Sequence, residues 1–118
     1  MSMSDENKNP IPQGKYVPAS RFGNLIYTAG MTPRKNGELI QSGKVSATQP
    51  VSHYKIAVRQ AVANALTAAQ NTLNEQEQIE QILTLTVYIH AEDGYKDHSK
   101  LADFASEYLY ENLSETGI

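Results

Sequence analysis

The sequence predicts an α+β domain, a mixed β-sheet with two helices packed on one face. Three observations carry that prediction. The β-prone run Leu25 to Ala29 stops at Gly30, and Pro33 follows three residues later, as in a buried strand that ends in a tight, shaped loop. Val58, Val62, Leu66, Ala69 and Leu73 recur at three- and four-residue steps and give one apolar helical stripe. Between this helix and a second one, Ile82, Leu83, Leu85, Val87 and Ile89 alternate irregularly with Thr84, Thr86 and Tyr88, a composition typical of a central strand.

The elements follow in order. Residues 1–13 are polar and proline-bearing and read as an extended or disordered lead-in. Tyr16 to Phe22 suits a short strand, and Leu25 to Ala29 is the next. Arg34-Lys35-Asn36-Gly37 contains an Asn-Gly pair, which tolerates positive φ, so Glu38 to Gln41 is expected to return as a neighbouring strand. Gly43 to Ala47 is a loop. Thr48-Gln49-Pro50 is the expected start of the first helix, with Thr48 as cap and Pro50 in the first turn, where its missing N–H costs nothing. Ala57, Ala61 and Ala65 flank the stripe, and such small side chains let a helix lie close against a sheet. Ile79 to Ile89 is the expected central strand, broken by Ala91-Glu92-Asp93-Gly94. Leu101, Phe104, Ala105, Tyr108, Leu109 and Asn112 then mark the second helix.

A chain of 118 residues is long enough for one domain and too short for two. Its apolar runs are far shorter than the roughly 20 residues needed to span a bilayer, so no membrane association is expected. The polar start Met1 to Lys8 lacks the apolar centre of a secretory signal. Cysteine is absent, which excludes disulfides, thiolate metal sites and a cysteine nucleophile, and a reducing cytoplasm is the simplest location. The net charge of −3, with no basic stripe, counts against nucleic acid as a tight ligand.

Few motifs carry chemistry on their own. His53, His90 and His98 form no metal-ligand spacing, so no metal is expected. His90, at the end of the expected central strand, is placed best for acid–base work, although a strand-end histidine is more often simply exposed. Glu75, Glu77 and Glu80 read as a solvated face. Gly30 ends its strand with a backbone N–H that could meet a substrate oxygen or water without interference from a Cβ.

Gly14-Lys15-Tyr16, Gly23-Asn24 and Thr28-Ala29-Gly30-Met31-Thr32-Pro33 together resemble the opening of the Rid family. These are the YjgF-type reactive-intermediate deaminases, also called endoribonuclease L-PSP or translation initiation inhibitors. The resemblance runs from about Gly14 to Leu113 and includes Asn64, Thr86-Val87-Tyr88-Ile89 and Asp93-Gly94-Tyr95. It implies a chorismate-mutase-like fold, a homotrimer with pockets between subunits, and a small imino- or keto-acid-like carboxylate as substrate, with no cofactor. It also places Tyr16, Ala29, Gly30, Met31, Tyr88 and Ser99 around the pocket. Ala29 stands where the family has serine, Met31 where it has glutamine, and Ser99 where it has asparagine. Asn64 is expected to tie down backbone rather than to meet substrate.

The family pattern continues past the second helix into two more strands, the first carrying an arginine. The sequence pattern here gives about four strands, so residues 14–118 are expected to form a single Rid-like domain truncated before its last strands. Losing those strands is expected to expose a sheet edge and apolar helix surface. Three functions follow from the resemblance. The first is hydrolytic deamination of reactive imines or enamines of amino-acid metabolism, with altered or weak activity. The second is a non-catalytic trimeric small-molecule-binding protein of the same fold. The third, which the acidic balance disfavours, is an endoribonuclease or translation inhibitor.

Overall fold

The computed structural model describes residues 9–10 and 17–113. Tyr16 and almost all of the expected N-terminal lead-in therefore lie outside the described residues, as do positions 114–118. The described elements run as β1 (Ala19–Phe22), β2 (Leu25–Thr28), β3 (Arg34–Lys35), β4 (Glu38–Leu39), a 3-10 turn (Val51–Tyr54), α1 (Lys55–Gln70) and α2 (His98–Asn112). The α+β class and the two helices are as the sequence predicts.

Both hairpins are made by two-residue loops whose residues suit the backbone they adopt. β1 and β2 pair antiparallel, with Phe22 opposite Leu25 across Gly23-Asn24. Gly23 has φ +59°, the left-handed value that the first loop position of a primed turn demands. β3 and β4 pair antiparallel, with Lys35 opposite Glu38. Asn36 at φ 55° and Gly37 at φ 83° are both positive, as a type I′ turn requires.

The start of α1 differs from expectation. Pro50 leads into the 3-10 turn, α1 proper opens at Lys55, and neither start has a side-chain cap. The Thr48 hydroxyl instead meets the Ser46 hydroxyl at 2.8 Å, and the Thr48 N–H donates to Ser46 Oγ at 3.2 Å.

The two helices pack on one another through their apolar stripes. Val62 and Leu66 of α1 meet Ala105 and Leu109 of α2, with Ile79, Ile82 and Val87 packed against them. A second cluster, Tyr54, Tyr95 and Leu101, closes the other end, and Leu101 is only 1% exposed. The Tyr54 hydroxyl accepts a hydrogen bond from the Ser46 N–H at 2.8 Å, so the polar tip of this buried ring is satisfied.

Residues 79–89 depart from the expected central strand. Val87 and Ile89 turn inward while Thr86 and Tyr88 face out, the alternation of a strand. Yet no ladder forms there among the described residues, whose sheets are the two separate two-stranded hairpins. The one link is just beyond, a parallel bridge between Val45 and Ala91. In it Val45 N–H donates to His90 O and Glu92 N–H to Val45 O, each at 2.9 Å. Strand propensity is a property of the segment; pairing needs a partner edge within reach, and β2 does not reach it.

Candidate functional site

β2 and residues 79–89 form the two walls of a groove of about 1460 Å³ whose floor is α1 and α2. The helices can form a floor because small residues face it. Ala57, Ala61 and Ala65 line it from α1, with Leu101, Ala105 and Leu109 from α2. One end of the groove holds the Arg21–Glu77 pair, and the β2 wall runs on through Ala29, Gly30 and Met31 to Pro33.

The loop after β2 is held by α1. Asn64 Nδ2 donates to Thr32 O at 3.1 Å and to Arg34 O at 2.8 Å, while Gln60 Nε2 donates to Asn64 Oδ1 at 2.9 Å. The asparagine thus fixes backbone, as its place on a packed helix suggested. On the strand side, Ala29 N–H donates to Pro18 O at 2.8 Å and extends the β1–β2 pairing by one step.

Gly30 comes next, and neither packing nor backbone torsion requires glycine there. Its φ lies outside the left-handed region, and no atom lies within 4 Å of where a Cβ would sit. Among the described residues its N–H has no hydrogen-bond partner. An open backbone donor at a strand end beside a groove is a group that can meet a ligand carbonyl or carboxylate oxygen, or an imine nitrogen. The neighbouring side chains add little polarity, since Ala29 has no hydroxyl and Met31 only a thioether.

Four of the six residues singled out by sequence line this groove: Ala29, Gly30 and Met31 on one wall and Tyr88 on the other. Tyr88 is 92% exposed, so its ring stands at the rim and does not pack within. Tyr16 lies outside the described residues. Ser99 is exposed in the first turn of α2 and does not line the groove. His90 lines it, whereas His53 and His98 do not.

Sequence reasoning missed Arg21. Its guanidinium donates Nη1 to Glu77 Oε1 at 2.6 Å and Nη2 to Oε2 at 2.5 Å, and also reaches Gly23 O at 2.9 Å and Thr72 O at 3.1 Å. Glu77 is therefore an ion-pair partner, not part of a solvated acidic face. The hydrogen bonds from Arg21, with a further one from Asn74 N–H, pull its carboxyl down from 4.5 to about 2. No local signal marks the pair, because 56 positions separate the two residues. Glu92 was missed as well: its Oε1 accepts from Ala47 N–H at 2.7 Å and Ser46 Oγ at 3.3 Å, fastening the 43–48 loop to the end of the second wall.

Among the described residues no group of three histidine or acidic side chains could hold a metal ion, and no helix is long and apolar enough to cross a membrane.

Against this geometry, residues 8–118 match the family model described as YjgF/chorismate mutase-like, putative endoribonuclease. No curated protein matches the chain. Among solved structures, a "putative endoribonuclease" from Shewanella oneidensis MR-1 is similar, with 28% identity and a TM-score of 0.76 over 94% of this chain and 74% of its own. The protein Atu1372 from Agrobacterium tumefaciens, described as of unknown function, is similar in fold. It has a TM-score of 0.79 and 24% identity over 91% of this chain and 69% of its own.

Proposed function

The chain belongs to the YjgF/chorismate mutase-like family, and on that premise we propose that it is a hydrolase of reactive imines or enamines from amino-acid metabolism, with weak or altered activity. The observation that supports this reading is Gly30, a glycine that neither sterics nor φ requires, with its N–H open at the groove wall. In the proposed reaction the oxygen of water bonds to the imine carbon. The nitrogen takes up the water's protons, ammonia leaves, and a carbonyl compound remains. An enamine first tautomerises to the imine. Groove binding brings water and the C=N bond together, and an open N–H placed against substrate oxygen withdraws electron density from the reacting carbon.

The activity is weak in this reading because Ala29 and Met31 contribute no strong hydrogen-bonding group beside Gly30. The same poverty of polar side chains favours a second reading, a trimeric binding protein of this fold without catalysis. The Shewanella relative is named a putative endoribonuclease; for this chain the net charge of −3 makes a phosphate-rich substrate the poorer candidate.

The proposed assembly is a homotrimer with the small carboxylate bound near subunit boundaries. Large apolar side chains left exposed, including Phe22 at 84%, Tyr27 at 65% and Leu83 at 70%, support burial against other copies.

The deciding experiment is ammonia release from a 2-iminobutyrate-type imine generated in situ by an amino-acid oxidase. Slow release above the protein-free rate is expected. No acceleration, together with calorimetric binding of a small keto acid, overturns catalysis in favour of the binding reading.

A further inference from the structure

We propose that Asn36-Gly37 is a site of self-modification, at which Asn36 exchanges its side-chain amide for an oxygen of water and becomes aspartate or isoaspartate. The inference is independent of the proposed imine chemistry. Of the eight asparagines, only Asn36 precedes a glycine. The reaction needs the next backbone nitrogen to attack the side-chain carboxamide, and a glycine there has no Cβ to obstruct the close approach.

The structure leaves both reacting groups open. The Asn36 side chain is exposed and makes no hydrogen bond among the described residues. The Gly37 N–H has no backbone partner there either, because the ladder closes one step earlier, at Lys35 and Glu38. Other asparagines are held or shielded. Asn64 is spent on the Thr32 and Arg34 carbonyls, Asn74 Oδ1 accepts from Gln76 N–H at 2.9 Å, and Asn112 Nδ2 donates to Tyr108 O at 2.8 Å. Asn24 is exposed, but Leu25 follows it and its Cβ crowds the attack.

In the step itself, a solvent base takes the Gly37 N–H proton, and the nitrogen's electron pair forms a bond to Asn36 Cγ. The Cγ–Nδ2 bond breaks, the amide nitrogen takes up a proton and leaves as ammonia, and a five-membered succinimide remains. Water then opens the ring. Cleavage between Cγ and the nitrogen gives aspartate. Cleavage between the main-chain carbonyl carbon and the nitrogen gives isoaspartate, whose backbone runs through Cβ and Cγ.

The closed turn restrains the attack. A type I′ turn has ψ of about +30° at its first loop position, which aims the Gly37 nitrogen away from the carboxamide. The reactive form is therefore the opened hairpin. Opening is easy, since each strand is two residues long and so short a pairing is marginal on its own. Isoaspartate adds one atom to the backbone path and spoils the turn geometry. The bond from Arg34 Nη1 to Gly37 O at 3.0 Å is then lost, whereas Arg34 O stays tied to Asn64 at 2.8 Å. β4 is released while β3 remains on α1.

The test incubates the intact protein at mildly alkaline pH, folded and in urea side by side. Peptide mapping by mass spectrometry, with separation of aspartate from isoaspartate, reads every asparagine. Asn36 is expected to convert ahead of the others, to both products, and faster as pH rises. Its rate in the folded protein is expected within about 100-fold of that in urea, the scale of a local opening. In the separated isoaspartate form, the Ile40 amide, bonded to Pro33 O at 2.9 Å, is expected to exchange at least about tenfold faster. Asn36→Gln, whose longer side chain would have to close a six-membered ring, is expected to stay unconverted over the same period. An Asn36 that stays intact in the folded protein while converting in urea overturns the proposal. So do earlier conversion at Asn24 and an Ile40 exchange rate that isoaspartate leaves unchanged.

Discussion

Arg21 of β1 and Glu77, just ahead of the second wall, meet at one end of the groove in a two-pronged ion pair at 2.6 and 2.5 Å. The guanidinium fork matches the carboxylate geometry, which gives orientation as well as attraction. Both side chains are partly solvated, 27% and 31% exposed, so salt screens the pair. The Glu77 carboxyl is depressed from 4.5 to about 2, so its contribution to stability is present above 4.5 and is lost as pH falls towards about 2. Glu77→Gln is expected to melt at a lower temperature than wild type at neutral pH. The gap is expected to close across that acid window and to shrink in high salt. Thermal melts over pH, with and without salt, check this; a gap that is constant with pH contradicts it.

Asn64 is the second tie, between α1 and the loop that presents Gly30. Asn64→Ala removes two donors from the Thr32 and Arg34 carbonyls. The expected cost is about 1–3 kcal/mol, the range for bonds that contribute roughly 0.5–1.5 kcal/mol each. Asn64→Asp is expected to cost at least as much, because a carboxylate turned towards two carbonyl oxygens offers no donor. Urea unfolding midpoints measure both.

What was legible in the sequence was local. Asn36-Gly37 announces its own turn because the two residues tolerate the positive φ that a type I′ loop needs, and Arg34–Lys35 and Glu38–Leu39 pair across it. The apolar stripes of α1 and α2 were legible because one face must be buried, and Asn64 because a polar side chain on such a face must be satisfied. What failed was whatever depended on a distant partner. Ile79 to Ile89 has strand composition, but no residue in it states which edge it pairs with. Thr48 reads as a cap, but its hydroxyl meets Ser46 and the helix proper opens later, at Lys55. Glu77 looks solvated until Arg21 arrives from the other hairpin. At the candidate groove, Ala29, Gly30, Met31 and Tyr88 lie along one cleft, whereas Ser99 is exposed in the first turn of α2 and does not line it.

Leu101 is the most buried side chain of the second cluster, at 1% exposure. It packs with Tyr54 and Tyr95 where α2 begins. Leu101→Ala leaves a cavity among two rings that cannot easily collapse, and a loss of about 2–5 kcal/mol is expected. Differential scanning calorimetry checks it, and a loss well under that range would mean that α2 shifts to fill the space.

The last prediction concerns Ala29, the position beside the open Gly30 N–H. A serine there would point a hydroxyl from the same wall without disturbing the strand, since the Ala29 N–H already bonds Pro18 O at 2.8 Å and that bond involves backbone only. If imine hydrolysis is limited by the lack of a hydrogen-bonding group at this point, Ala29→Ser supplies one. Deleting a single donor to a reacting centre typically costs about 10²–10³ in rate. A newly placed hydroxyl is not supported by co-adapted neighbours, so a gain of roughly tenfold in turnover is expected, below that ceiling. Ser99→Ala, changed at a position away from the groove, is expected to leave turnover unaltered. The assay compares ammonia release from the in situ imine for wild type, Ala29→Ser and Ser99→Ala. Wild-type activity that Ala29→Ser does not improve would show that another group already performs the serine's task. No activity in either form would favour a binding protein, for which the same substitution is expected to change only ligand affinity.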